Sequence, residues 1–230
     1  MASDTFTRSL DVDSSKNELT IHQSYIGDVG CVVWDAALVL SKFIDFAHAQ
    51  QPVKTEPERR HGVLDSALLL IQRINTATAV ELGGGTGVVG LLAASLGCNT
   101  YITDLEDLMP LIQKNIEQNN LQEKATATVL RWGEHKNISL PEADLLLVAD
   151  CVYYPESLLP LLDTISALAG PSTIVLVSYE DRDSEMKQAL QKTFSESLRK
   201  EFEVEEVPTD QLHPEYRAQD IHVLVARKMT

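Results

Sequence analysis

The chain has 230 residues, enough for one substantial α/β domain that buries a core without disulfide or metal support. Its 34 Asp and Glu outnumber its 19 Lys and Arg, and the formal net charge of −15 repels phosphate, which argues against a nucleic-acid substrate. The 3 cysteines and 6 histidines lack the close spacing of a metal site, and no apolar run approaches the ~20 residues of a membrane span. We therefore expect a cytoplasmic protein with no metal site and no membrane-spanning segment.

The first third of the chain carries few strong signals. Residues 1–20 are polar and acidic and are predicted to be a flexible segment, with a weak strand pattern at 19–25. A strongly apolar run predicts a helix that starts at about residues 33–34. Residues 47–60 are polar, contain prolines and are predicted to be a surface loop. Apolar positions three and four apart then predict a helix over 63–74.

The strongest local signal is a glycine-rich turn. An apolar strand pattern over 77–82 stops at 4 glycines within 83–87, and an amphipathic helical pattern begins directly after them. Glycine is required where the backbone takes positive φ or approaches a ligand with no Cβ in between. The amide N–H groups at the start of the next helix face the same crevice. The turn therefore predicts a ligand-binding loop, and close helix–strand packing alone is the weaker alternative.

Two ligands fit this loop. Residues 85–90 match the G-x-G-x-x-G dinucleotide fingerprint, and Asp104 lies 19 residues after Gly85, near the position of a ribose-binding acid. Alternatively, Glu81 begins the acidic glycine-rich loop of an S-adenosylmethionine (AdoMet) enzyme. The segment 80–99 offers no Lys or Arg to a pyrophosphate, whereas AdoMet carries a cationic sulfonium and an ammonium. The charge of the loop therefore favours AdoMet, with Glu81 as a cofactor-binding residue.

Beyond the glycine turn, strands and helices alternate regularly. The predicted elements are helix 88–96, strand 100–103, helix 105–119, strands 126–132 and 144–149, helix 155–168, strand 173–179, helix 184–199 and strands 202–207 and 221–226. Together with the strand at 77–82, they predict an α/β fold with a seven-stranded, Rossmann-like, doubly wound sheet in one domain over 1–230. The sheet is expected to be mostly parallel, with the last two strands as an antiparallel hairpin at its edge.

Polar and aromatic side chains follow several of the predicted strands, at the carboxyl ends where such sheets bind ligands. Asp104, after the second strand, is suited to accept hydrogen bonds from ribose hydroxyls, although it could also cap the next helix. Trp132, after the third strand, and Trp34, at the first helix, could each flank the cofactor or fill the core. Asp150 and Tyr153 follow the fourth strand three residues apart, so both can point into one crevice.

Longer motifs resemble a known family, the seven-β-strand protein-lysine methyltransferases of the methyltransferase-like 21 group. The motifs that carry this resemblance are GCVVWDAA at 30–37, ELGGGTG at 81–87 and the D-x-x-Y of Asp150 and Tyr153. Further motifs resemble the branch of that group that methylates valosin-containing protein, an AAA ATPase. They lie at 130–134, 149–158, 179–180 and 215–222. The resemblance runs from about residue 23 to 228 and is absent from 1–20 and 47–76.

The resemblance implies an AdoMet-dependent protein-lysine N-methyltransferase. Its cofactor-binding residues would be Trp34, Gly83, Gly84, Gly85, Asp104, Trp132 and Ala149. Asp150 and Tyr153 would be the catalytic residues at the edge where the lysine enters, and valosin-containing protein would be the substrate. Two other functions stay open at this point: a nicotinamide-dependent oxidoreductase, from the literal dinucleotide fingerprint, and a non-catalytic module that retains an AdoMet-binding fold.

Overall fold

The computed structural model describes residues 5–27, 29–50 and 62–229. The helices are α1 (Asp35–Ala49), α2 (Val63–Ile71), α3 (Val88–Ser95), α4 (Met109–Gln118), α5 (Leu158–Leu168) and α6 (Glu185–Glu201). The strands are β1 (Thr5–Val12), β2 (Asn17–Ser24), β3 (Thr78–Leu82), β4 (Asn99–Asp104), β5 (Ala125–Val129), β6 (Leu145–Ala149), β7 (Ile174–Glu180), β8 (Phe202–Glu206) and β9 (Ile221–Lys228). Within these ranges, no helix is both long and apolar enough to cross a membrane.

Strands β3 to β9 form one sheet in the order β5-β4-β3-β6-β7-β9-β8. The five strands from β3 to β7 pair in parallel, whereas β9 runs antiparallel to both β7 and β8. The chain builds one half of the sheet outward from β3 and the other half outward from β6, so the topological switch point lies between these two strands. The prediction of a doubly wound, mostly parallel, seven-stranded sheet with an antiparallel edge hairpin is confirmed.

Alternate side chains of the central strands face two different helical layers. Ala79 and Leu147 belong to the core that packs against α1, α2 and α3, while Val80 and Val148 belong to the core that packs against α5 and α6. Burial of such aliphatic side chains on both faces stabilises the sheet by roughly 1.5–3 kcal/mol for each large one. Because side chains alternate along a strand, Glu81 lies on the same face as Ala79 and is directed toward α3.

Residues 5–24 form a β-hairpin rather than an irregular segment. β1 and β2 pair antiparallel from Thr5 opposite Ser24 to Val12 opposite Asn17. The hairpin buries a row of apolar side chains against the domain, namely Leu10, Val12, Leu19 and Ile21. The prediction of a flexible segment over 1–20 is therefore wrong for residues 5–20.

Two asparagines of α4 hold the hairpin in place. Asn115 Oδ1 accepts a hydrogen bond from the N–H of His22 at 2.7 Å, and Asn115 Nδ2 donates to the carbonyl oxygen of His22 at 3.0 Å. Asn119 forms the same pair of hydrogen bonds with Thr20, at 2.8 and 2.9 Å. Positions four apart lie on one face of a helix, so the two side-chain amides act like a neighbouring strand along β2. These partners lie 93 and 99 positions away along the chain, which explains why local sequence did not reveal the strand pair.

Helix α1 continues further than its sequence pattern predicts. Trp34 is its N-cap residue and the helix ends at Ala49, so the surface loop predicted over 47–60 is wrong for its first three residues. Ala47 is buried, and His48 Nδ1 lies 3.0 Å from the carbonyl oxygen of Ile71 at the end of α2. Contact with α2 therefore extends the helix past the polar residues. The remainder of the predicted loop, 51–60, lies outside the described residues.

Candidate active site

The glycine-rich loop connects β3 to α3 at the switch point of the sheet. Gly83 has φ +64°, and a Cβ there would lie 2.7 Å from Cζ2 of Trp132. Gly85 has φ +56°, and a Cβ there would lie 2.6 Å from the carbonyl oxygen of Gly30. Both positions combine a left-handed backbone with close neighbours, so a side chain at either would displace the loop or its surroundings. The loop therefore forms a cradle of bare backbone.

Glu81 supports this cradle from behind. Its side chain is 2% exposed, and its Oε2 accepts the N–H of Gly90 at 3.0 Å, in the first turn of α3. The N-cap residue of α3 is Gly87, which has no side chain to satisfy the free N–H groups of the helix start, so Glu81 satisfies one of them. Burial raises the pKa of Glu81 to about 8, against the opposing hydrogen bond from Gly90, and the charge of Asp104 adds to the rise.

Asp104 holds the same loop from the neighbouring strand. Its Oδ2 accepts the N–H of Gly85, and its Oδ1 accepts the N–H of Leu105, both at 2.7 Å. A carboxylate has about four acceptor positions, so hydrogen bonds to ribose hydroxyls remain compatible with these contacts. The alternative role as a helix cap is wrong, because Leu105 and Leu108 are the N-cap residues of the 3-10 turn Glu106–Leu108 and of α4, and neither start has a side-chain capping hydrogen bond. Asp104 instead orders the loop backbone and lies at the cavity wall.

A cavity of about 360 Å³ opens in front of the loop. Its lining contains every residue predicted to bind the cofactor or to act in catalysis: Trp34, Glu81, Gly83, Gly84, Gly85, Asp104, Trp132, Ala149, Asp150 and Tyr153. Among the described residues, the lining includes several acids and one cation, Arg131, whose side chain is 64% exposed and pairs with Glu134. The bare backbone cradle and the acidic wall fit AdoMet, which has no phosphate and carries positive charge beside its reactive methyl group.

The two tryptophans meet the cavity in different ways. Trp34 is 39% exposed, and its indole N–H donates to the carbonyl oxygen of Val29 at 2.9 Å, so the ring lies at the cavity rim. Trp132 is partly buried, approaches Gly83 and also packs against the core on the α5 side of the sheet. Trp34 is therefore not a core residue, whereas Trp132 both packs against the core and lines the cavity.

Asp150 lies where β6 leaves the sheet. Its φ of +53° is in the left-handed region, which Asp tolerates better than most residues, and its N–H donates to the carbonyl oxygen of Ser178 at 2.8 Å. This turn places the side chain at the cavity while leaving it only 6% exposed. Tyr153 also lines the cavity, with its ring centroid 4.4 Å from that of Tyr154, which is 42% exposed.

The structure adds Arg182, which the sequence motifs did not single out. Its Nη2 donates to Asp150 Oδ2 and its Nη1 donates to Glu180 Oε2. Arg182 stands two residues beyond Glu180, at the carboxyl end of β7, and its position at a strand end was the available signal. Cys151, beside Asp150, is buried with its Sγ 3.2 Å from the carbonyl oxygen of Leu82. Burial raises the pKa of Cys151 well above its usual range, so it is no candidate nucleophile.

The sheet order, the glycine cradle after β3 and the acid after β4 define a class I AdoMet-dependent methyltransferase. The chain belongs to the lysine methyltransferase family, whose pattern it matches over residues 13–201. It is 31% identical over 207 residues to protein N-lysine methyltransferase METTL21A of Mus musculus, covering 87% of this chain and 78% of that relative. It is 30% identical over 183 residues to EEF1A lysine methyltransferase 3 of Xenopus tropicalis, covering 78% of this chain and 71% of that relative.

A solved structure independently matches the fold. The 16S rRNA N2 G1207 methyltransferase RsmC of T. thermophilus, in complex with AdoMet and guanosine, aligns with a TM-score of 0.61 at 15% identity, covering 99% of this chain and 51% of that chain. At this identity the likeness shows the fold alone, because one fold serves many substrates. The family and its relatives show an AdoMet-dependent protein-lysine methyltransferase. The dinucleotide fingerprint at 85–90 was therefore a coincidental match, and the oxidoreductase and non-catalytic alternatives are set aside.

Proposed function

We propose that this enzyme methylates a lysine side chain of a folded intracellular protein, and that the substrate is valosin-containing protein. The observation that carries the proposal is the acceptor side of the cavity, where Asp150 and Tyr153 line the wall beside Ala149. Trp34 and Tyr154 are exposed along the same wall. A carboxylate and a phenol hydroxyl beside exposed aromatic rings suit an alkyl chain that ends in an amine.

On this proposal the cofactor is held mainly by the backbone. The bare loop of Gly83, Gly84 and Gly85 would admit it, and Asp104 would accept hydrogen bonds from its ribose hydroxyls. Trp34, Trp132 and Ala149 would complete the wall around it. Glu81 keeps α3 in place through the N–H of Gly90, and its carboxyl group, ionised when the sulfonium is nearby, would offset the positive charge of the cofactor from behind the loop. These assignments are supported by the common cavity that the residues line.

The transfer requires alignment of the acceptor more than proton chemistry. When bound, AdoMet would supply a methyl group on a sulfonium; the new bond to the amine nitrogen would replace the S–CH3 bond, whose electron pair would stay on sulfur as a neutral thioether. Asp150 and the Tyr153 hydroxyl accept the N–H groups of the lysine amine and direct its lone pair inward. Asp150 also stabilises the positive charge that the nitrogen acquires. The proton is then lost to solvent, so Asp150 acts without being a general base.

The protonation state of the lysine limits the rate. With a pKa of ~10.4, a lysine is neutral in only about 1 of 2,500 molecules at pH 7, a penalty of roughly 4.6 kcal/mol. Desolvation and the nearby sulfonium lower this pKa, whereas an adjacent carboxylate raises it. The electrostatics around Asp150 therefore decide how much of the amine is able to react.

The choice of substrate rests on motif resemblance and charge. The relatives include an enzyme named for EEF1A and a more general protein N-lysine methyltransferase, so family membership leaves the target open. The motifs at 149–158 and 215–222 resemble the branch that methylates valosin-containing protein. The net charge of −15 favours approach of a lysine-bearing, cationic surface and disfavours phosphate.

The test uses labelled AdoMet with purified valosin-containing protein, EEF1A and RNA in parallel. We expect label on valosin-containing protein, and we expect it to disappear when one lysine of that protein is replaced by arginine. Asp150→Asn is the matched enzyme of low activity. Label on EEF1A but not on valosin-containing protein would overturn the substrate while retaining the reaction. Label on RNA, or label that survives every lysine replacement, would overturn lysine methylation itself.

A further inference from the structure

Arg182 lies in the short segment between β7 and α6 and contacts two residues that line the acceptor side of the cavity, Asp150 and Trp34. Its Nη2 donates to Asp150 Oδ2 at 2.5 Å, and its Nη1 donates to Glu180 Oε2 at 2.8 Å. Its guanidinium carbon also lies 5.6 Å from the centroid of the Trp34 ring. One side chain therefore connects the end of β6, the end of β7 and the start of α1, at the place where the acceptor lysine would enter.

This contact fixes the direction of the Asp150 carboxylate. The Asp150 side chain is 6% exposed and that of Arg182 is 20% exposed, so water screens the ion pair less than at an open surface. A planar guanidinium with two donors engaged on two carboxylates is a directional contact that a lysine ammonium cannot reproduce. Arg182 engages Oδ2 of Asp150 and leaves Oδ1 for a second donor.

The charge of the cluster bears directly on the acceptor. Two carboxylates, Asp150 and Glu180, and one guanidinium leave a net charge of −1. Without the guanidinium, two negative groups would favour the ammonium form of an incoming lysine, because opposite charge within ~4–6 Å stabilises the charged state. An ammonium has no lone pair and cannot accept a methyl group. A cation beside the carboxylates shifts the acceptor toward the reactive amine.

We propose that Arg182 is a positioning residue for methyl transfer: its guanidinium orients the Asp150 carboxylate and offsets its charge, so that Asp150 binds the acceptor lysine as a neutral amine. This inference rests on the proposed lysine acceptor and assigns a role that the D-x-x-Y motif alone does not contain. Arg182 acts on the acceptor through Asp150, and Trp34 and Glu180 keep its guanidinium in place.

Other ionisable groups surround the cluster. They are Glu81, Asp104, Arg131, Tyr153, Tyr154 and Glu156 of the cavity lining, Asp35 next to Trp34 in sequence, Asp181 and Asp183 on either side of Arg182, and His222 of β9, which pairs with Asp181. Burial raises the pKa of Glu81 to about 8. For His222, burial lowers the pKa, but hydrogen bonds to Glu206 and Asp181 outweigh burial and raise it overall. These groups are common to all variants, so the difference between variants isolates Arg182.

The test is the pH dependence of transfer, measured at saturating labelled AdoMet with whichever purified protein the wild type labels. For Arg182→Gln we expect a rate about tenfold below that of the wild type near pH 7.5. The midpoint of the increase in rate with pH should lie about one pH unit higher than in the wild type. The deficit should then shrink to about twofold near pH 10. Arg182→Lys keeps the charge but not the double contact, so its pH profile should stay near that of the wild type while its kcat falls.

Two further variants sharpen the result. Arg227→Gln removes another partly exposed arginine, paired with Glu203 at the end of β9 far from Glu180, and should leave rate and pH profile unchanged. Adding Asp150→Asn to Arg182→Gln removes the charge that Arg182 offsets and should return the profile toward that of Asp150→Asn alone. An equal loss of rate at every pH, or an unchanged profile, would overturn the inference. A wild type that labels no lysine would instead overturn the proposed function.

Discussion

The two ends of the cavity are held by different kinds of contact. At the cofactor end, the carboxylates of Glu81 and Asp104 accept backbone N–H groups of the glycine loop and of α3. At the acceptor end, the carboxylate of Asp150 is held by the side chain of Arg182, which lies 32 positions away in sequence. Backbone contacts form a cradle that does not depend on side-chain charge, whereas the side-chain ion pair at the acceptor end orients the Asp150 carboxylate and offsets its charge.

The cofactor end should be the more easily broken of the two. Gly85→Ala places a Cβ 2.6 Å from the carbonyl oxygen of Gly30 at a backbone φ of +56°. A left-handed residue costs about 1–2 kcal/mol and overpacking about 1–3 kcal/mol, so AdoMet affinity should fall on the order of 1,000-fold. Isothermal titration calorimetry measures the affinity, and urea unfolding measures the accompanying loss of stability.

Gly170→Ala is the matched control. Its Cβ would meet only side-chain atoms, at 3.3 Å or more, away from the cavity, so stability should change by less than about 0.5 kcal/mol. If Gly85→Ala bound AdoMet as the wild type does, the backbone cradle would have no part in binding.

Substitution of one acid at each end separates binding from transfer. Asp150→Asn retains a residue that tolerates the positive φ and should lower kcat about 100-fold while AdoMet affinity stays within about threefold. Asp104→Asn should instead weaken AdoMet binding about tenfold or more, because it removes one charge-assisted acceptor for the ribose and loop N–H groups. Calorimetry and a single-turnover methylation assay on both variants decide the matter. Equal loss of AdoMet affinity in the two would contradict this division of roles.

The same division explains what the sequence could predict. The cofactor end is contiguous along the chain: a strand, four glycines, a helix and an acid at the next strand end. Each of these features has a local physical cause, such as a continuous apolar run or a requirement for positive φ, and each was found where it was predicted. The doubly wound sheet followed from the same local alternation of strands and helices.

What the sequence did not reveal depends on partners distant along the chain. The β1–β2 hairpin looks polar because only one face carries apolar residues, and its free edge is satisfied by Asn115 and Asn119 of α4. Arg182 lies in a charged segment in which several polar residues look equivalent. Only the tertiary structure shows that its guanidinium is the group that meets Asp150.

Glu81 provides a pH test of the cofactor end. Its pKa of about 8 lies above that of an unfolded glutamate. Between about pH 4.5 and 8, the folded state therefore keeps the Glu81 proton, whereas the unfolded state has released it. The stability linked to Glu81 is fully present below that window and is lost as pH rises through it. Relative to Glu81→Gln, the wild type should therefore lose up to a few kcal/mol of unfolding free energy between pH 5 and 9.

Addition of AdoMet should oppose this loss, because the sulfonium favours the ionised carboxylate of Glu81. Binding measured by calorimetry should strengthen by about tenfold between pH 6.5 and 8.5 in the wild type and change less in Glu81→Gln. Parallel pH curves for the two proteins would show that Glu81 does not titrate in this range.

The smallest expected effect concerns the approach of the protein substrate. Long-range attraction between the acidic enzyme, with its net charge of −15, and a lysine-bearing surface is screened within about 8 Å at physiological salt. Raising the salt concentration from about 50 to 300 mM should therefore lower kcat/KM for the protein substrate by roughly threefold to tenfold, mainly through slower association. In the proposed binding mode AdoMet would lie between backbone and buried acids, so its affinity should change by less than about twofold over the same range. Stopped-flow association and calorimetry at matched salt concentrations measure the two responses. An equal salt response of both ligands would mean that local contacts, rather than the field of the whole protein, attract the substrate.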